Sequence, residues 1–168
     1  MNKRMVVAVL VVACLGVLAA SVATWAATDQ QTLTINATVS SQAKLELGVA
    51  AISFPAADPD GTPSILATEN PVSVTVKAHS GSSQPVTLTV QANGDLQSGG
   101  NSIPITKVTW TAAGSGFISG TMDTSSQPAG SWTGSGRRDG TFSYSLANDW
   151  AYQAGSYSQT VVYTLTAP

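Results

Sequence analysis

The chain has 168 residues, only 10% of them charged, with a formal net charge of −2 and a single cysteine. No basic patch extends beyond the adjacent pair Arg137 and Arg138, which speaks against nucleic acid as a partner. Soluble domains ordinarily carry about 25% charged residues, so Ser, Thr, Asn, Gln and Gly must supply much of the polar surface here, a balance suited to an extracellular β-protein rather than a cytosolic enzyme.

Residues 1–26 read as an export signal. Lys3 and Arg4 precede an apolar run from Met5 to Ala20 and then small residues. The run is broken by Gly16 and thins before reaching the ~20 strongly apolar residues that a bilayer span needs. Cleavage is therefore expected, after Ala26, with Thr24 and Ala26 meeting the small-residue rule and Ser21 and Ala23 offering a second site. Cys14, in VVAC, loosely resembles a lipoprotein box, but the apolar run continues past it, as in an ordinary signal segment. The mature chain, 27–168, then has no thiol, which leaves disulfides, cysteine nucleophiles and zinc–thiolate sites out. Without Lys3 and Arg4, five basic residues face nine acidic ones, a net −4.

Beyond residue 27 the dominant pattern is period-two alternation rich in Val, Ile, Thr and aromatics. Thr32–Val39 places Leu33, Ile35, Ala37 and Val39 on one face of a predicted strand. Strands are expected at Ala43–Leu47 and around Ala51–Phe54, then a loop through PAADPDGTPS. Val72–Ala78 and Pro85–Ala92 read as a hairpin joined by HSGSSQ, followed by a Gly-rich turn at Asn93–Asn101. ITKVTWTA loses parity, which predicts a bulge or an early strand break. Further strands are expected near Phe117, near Trp132, over Gly140–Ala147 and over Ser156–Ala167, with GSGRRDG as a hairpin tip turning at Asp139–Gly140. Eight to ten short strands without intervening helices predict one all-β domain over 27–168, an immunoglobulin-like antiparallel β-sandwich.

Groups suited to chemistry are few. His79 is the only histidine, it falls in a predicted loop, and no GxSxG elbow accompanies it, so catalysis is not expected. DPDG at Asp58–Gly61 begins as calcium loops begin, but only Glu69 follows, and Asp-Pro and Asp-Gly are ordinary turn pairs. No metal or other cofactor is expected. Trp132 and Trp150, with Tyr152 and Tyr157, offer rings on which sugar faces could stack, although a domain with few large aliphatics also needs its tryptophans as core. Asn36, in NAT, matches the glycosylation acceptor pattern by chance, since the leader is of bacterial type.

The C-terminal string AGSYSQTVVYTLTAP alternates Tyr157, Val161, Tyr163 and Leu165 on one face. Together with TLTINATV near the N-terminus, it resembles the ends of chaperone–usher pilins and of spore-coat-protein-U-like domains. In those families Ig-like subunits join by donating an N-terminal strand into the next subunit's groove. The resemblance implies that Leu33, Ile35, Ala37 and Val39 are the donated side chains and that Tyr157, Val161, Tyr163 and Leu165 line the strand with which a periplasmic chaperone or a neighbouring subunit pairs. YSQTVVYTLTAP also resembles the terminal segment of WxL cell-wall-binding domains, with Tyr163 in the place of the motif's tryptophan. Two expectations follow. One is a non-catalytic structural subunit of a pilus, fimbria or coat, partnered by itself or a related subunit. The other is an extracellular module that binds cell-wall polysaccharide.

Overall fold

The computed structural model describes residues 27–168; the expected signal segment, with Cys14 and the cut after Ala26, lies outside the described residues. The chain divides into two units, one ending at Asn36 and one running from Ala37 to Pro168. Residues 27–36 form no strand or helix, and each is exposed.

The second unit is all-β. Its strands are β1 (Gln42–Leu47), β2 (Ser64–Leu66), β3 (Val72–His79), β4 (Pro85–Ala92), β5 (Leu96–Ser98), β6 (Asn101–Ile103), β7 (Val108–Ala113), β8 (Gly120–Thr121), β9 (Gln127–Thr133), β10 (Gly136–Ala147) and β11 (Val161–Thr166). One sheet runs β1-β3-β10-β7-β8, with β2 paired to the far end of β10; a second runs β11-β4-β9; β5 and β6 form a small ribbon. Every pairing is antiparallel.

The two large sheets enclose the core in a sandwich-like arrangement. Val72, Val74, Val76 and Ala78 of β3 and Val86, Leu88, Val90 and Ala92 of β4 are each at most 5% exposed, packed with Trp110, Phe142 and Tyr144. Sequence alternation identified these inward faces correctly but not their neighbours. β3 and β4 belong to opposite sheets, so residues 80–84 arch across the end of the sandwich instead of closing a hairpin. Alternation fixes which face is buried; it does not say whether two runs lie side by side or face each other. The same correction applies to β9 and β10. Gly134, at φ 73, stands in the turn between them, while Arg137–Asp139 continue β10 opposite Thr75–Lys77; the left-handed backbone goes to a glycine, not to Asp139.

Other expectations change as well. Thr32–Val39 is in no strand. Residues 51–54 are irregular, held by Glu69 accepting from the Ser53 amide at 2.7 Å and by the Thr68 amide donating to the Ser53 carbonyl at 2.9 Å. The Gly-rich turn at 93–101 holds β5 and the turn into β6, with Gly99 at φ 58. β2 carries too few residues to show alternation. At ITKVTWTA the loss of parity is a 3-10 turn over Ile105–Lys107, after which β7 begins.

One flank of the sandwich is closed. Ser131 donates its amide to the Gly116 carbonyl and Ile118 to the Ala129 carbonyl, both at 2.9 Å, before Gly120–Thr121 crosses to pair with Thr109–Trp110. Gly116 has φ 82, and a Cβ there would strike the Trp132 indole. The other flank, between β1 and β11, is built differently.

Candidate functional site

β1 and β11 are the terminal strands of their sheets, each hydrogen-bonded on one side only. In register, Ala43, Leu45 and Leu47 of β1 oppose Ala78, Val76 and Val74 of β3. Val161, Tyr163 and Leu165 of β11 oppose Ala92, Val90 and Leu88 of β4. Period-two geometry therefore points all six toward the core. Their β3 and β4 partners are dry, whereas Leu47 remains 40% exposed and Leu45, Val161, Tyr163 and Leu165 are half-buried. Core-facing side chains that stay wet mark a place where the sandwich lacks cover.

The uncovered place is an open groove of about 560 Å³ between the end of β1 and the start of β11, lined by Leu45, Leu47, Val49, Ala50, Val161 and Tyr163. Its floor is aromatic. The Tyr163 ring stacks on Phe142 with centroids 5.8 Å apart, and the Tyr163 and Tyr144 hydroxyls meet at 2.7 Å. Burial, reinforced by the neighbouring hydroxyl, pushes the Tyr163 phenol well above its ordinary range; burial also raises Tyr144. Both stay neutral at physiological pH and present an apolar, uncharged floor.

Val161, Tyr163 and Leu165 thus share one face, with Tyr157 half-buried upstream and its hydroxyl donating to the Gln153 carbonyl. Leu33, Ile35 and Val39 are 83%, 83% and 73% exposed, and Ala37 is exposed as well, so the described fold buries none of them. Leu47 and Val49, on the β1 side of the groove, were not among the candidate residues. Their signal was the alternation in AKLEL running into Gly48, too short on its own to distinguish an edge from a central strand.

The two tryptophans are not brought together. Trp132 is 9% exposed, donates its indole N–H to the Ser115 carbonyl and packs edge-on against Phe117. It is a core residue and cannot serve as a platform. Trp150 is 69% exposed, and its indole N–H donates to Asp60 at 3.0 Å. Asp58 accepts from the Asp60 amide at 3.0 Å and its carbonyl from the Thr62 amide at 2.7 Å, which makes DPDG a self-closed turn. His79 ends β3, exposed, opposite Gln42. Among the described residues no three of His, Cys, Asp and Glu gather as metal ligands.

No protein-family model matches the chain, and the search of curated proteins returns no significant match.

Proposed function

We propose that this protein is a non-catalytic, exported structural subunit of a cell-surface assembly, an Ig-like sandwich whose open flank receives the Leu33–Val39 segment of a neighbouring copy. One observation carries this reading. The fold leaves wet, core-facing side chains along β1 and β11, and the same chain holds an alternating apolar segment that belongs to no strand. A strand laid between β1 and β11 would pair both free edges and cover the groove, the β-augmentation mode of recognition. It would also remove two edges that otherwise invite uncontrolled pairing. A periplasmic chaperone would serve by holding the flank until a neighbour's segment replaces it.

The test is size-exclusion chromatography with light scattering on residues 27–168, on the chain lacking 27–40, and on the variant L33N/I35N. The proposal expects polymers from the first and none from the other two, with circular dichroism unchanged. A monomer that stays monomeric at millimolar concentration in all three refutes it.

The exposed ring of Trp150 favours a second reading, a cell-wall polysaccharide module. It predicts retention on purified wall that W150A abolishes; an equal elution of both proteins rules it out.

A further inference from the structure

The topology separates charge as sharply as it separates apolar surface. Residues 136–139 of β10, 77–79 of β3 and 42–44 of β1 lie at one end of the first sheet. Lys44, Lys77 and Arg137 are direct cross-strand neighbours there, forming a row of three cations, and Arg138 follows at once. Like charges in register repel. The carboxylates in the next row, Glu46 and Asp139, offset them: Glu46 meets Lys44 at 2.7 Å and Lys77 at 3.5 Å, and Asp139 meets Arg137 at 2.8 Å. The contacts with these cations hold both carboxyls below their ordinary range, Asp139 also accepting from Thr75. Four cations against two carboxylates leave this end at +2.

The far end of the sandwich, beyond Ala147 of β10 and Ala92 of β4, gathers the opposite sign. Asp58 and Asp60 belong to the loop that Asn148 fastens by donating to the Ala57 and Thr62 carbonyls, and Asp149 follows Asn148. Glu69 precedes β3; Asp95 follows β4; the Asp123 carbonyl accepts from the Ala92 amide. Lys107, just before the β7 residue that faces Leu146, is the one cation among them in the described residues. Six carboxylates and one lysine leave this end at −5. The length of β10 sets the two ends about 35 Å apart.

The chain's own direction matches this polarity. Residues 27–41 enter β1 at its basic end, while the groove opens at the opposite end, beside Leu47, Val49 and Val161. We propose that the basic end of one copy docks on the acidic end of the next, so that charge orients head-to-tail association before the segment seats in the groove. The partner is a second copy of this chain. This inference rests on the subunit reading and assigns it a direction and a steering force.

The test exchanges charge without changing its total. K77Q/R137Q/D58N/D60N keeps the net charge of residues 27–168 at −4 and flattens the asymmetry; the substituted side chains are on the surface, and D58N and D60N each retain an acceptor oxygen. In an L33N/I35N background, where no segment can seat, the second virial coefficient at about 10 mM salt is expected to be lower for the parent than for the exchanged chain. The gap should close at about 0.5 M, where the screening length falls to roughly 4 Å. K44Q/D149N, also neutral overall, should shift it in the same direction by about half. In the intact chain the exchange should slow polymer elongation roughly tenfold at low salt. Equal coefficients for parent and exchanged chains at 10 mM overturn the inference, as does elongation indifferent to both salt and exchange, although the subunit reading then stands. Different coefficients with no polymers from the intact chain uphold the charge pairing and refute the subunit reading.

Discussion

The hydroxyl groups of Tyr144 and Tyr163 meet at 2.7 Å between the two sheets, the first from a central strand and the second from an edge. Tyr144 is 4% exposed, so Y163F leaves its hydroxyl without a partner and should cost about 1–2 kcal/mol. Y144F should cost a similar amount, because burial raises the Tyr163 phenol as well and its hydroxyl then loses the same partner. The double variant should be more stable than the two single losses summed, which urea denaturation of all four proteins measures directly.

Alkaline pH tests the same pair. Both phenols are raised in the folded protein, whereas unfolded tyrosine ionises near pH 10. Above pH 10 the unfolded chain holds fewer protons than the folded one, so this contribution is complete below pH 10 and is lost as pH rises. Stability should fall by up to about 1.4 kcal/mol per pH unit for each tyrosine. Urea midpoints at pH 8, 10 and 11 should show a steeper fall in the natural sequence than in Y144F/Y163F.

Asn70 acts as a short piece of strand between β2 and β3. Its side-chain amide donates to the Tyr144 carbonyl at 2.7 Å and accepts from the Tyr144 amide at 2.8 Å. The carbonyl keeps a second partner in the Ala67 amide at 3.1 Å, so N70A orphans the Tyr144 N–H alone. A loss of about 1–3 kcal/mol is expected, read as a lower urea midpoint at unchanged slope.

The tryptophans should separate cleanly. W132A removes a core ring and should cost about 3–5 kcal/mol, while W150A, on the surface, should stay within about 0.5 kcal/mol. In residues 27–168 iodide should quench only one of the three indoles.

L33N/I35N should likewise leave the unfolding midpoint of the monomer unchanged within about 0.5 kcal/mol, because neither side chain is covered. A drop of several kcal/mol would show that the segment completes its own sandwich.

The fold was legible in the sequence wherever alternation ran long. The inward faces of β3 and β4 follow from alternation because eight residues rich in Val, Leu and Thr leave one parity to bury, and the second half of β10 was expected as a strand. Sheet membership was not legible, since β3 facing β4 and β3 beside β4 require the same pattern. Residues 32–39 illustrate the reverse limit. Their alternation is as regular as that of β3, yet they enter no strand, because pattern records a capacity to pair and not the presence of a partner. At the groove, the Val161–Leu165 face was readable, while the β1 side was too short to announce its exposure.

The closed flank at Gly116–Thr121 has a consequence for the shape of any assembly. On the proposed subunit reading, with one side sealed by its own chain and one open, the described residues would offer a single socket and a single segment. The valence would then be two. Growth by such units would yield unbranched threads, neither sheets nor networks, and their length would depend on how often an end meets a chain that cannot extend it. A small fraction of molecules lacking residues 27–40 would then act as chain terminators, shortening the population in proportion to their share.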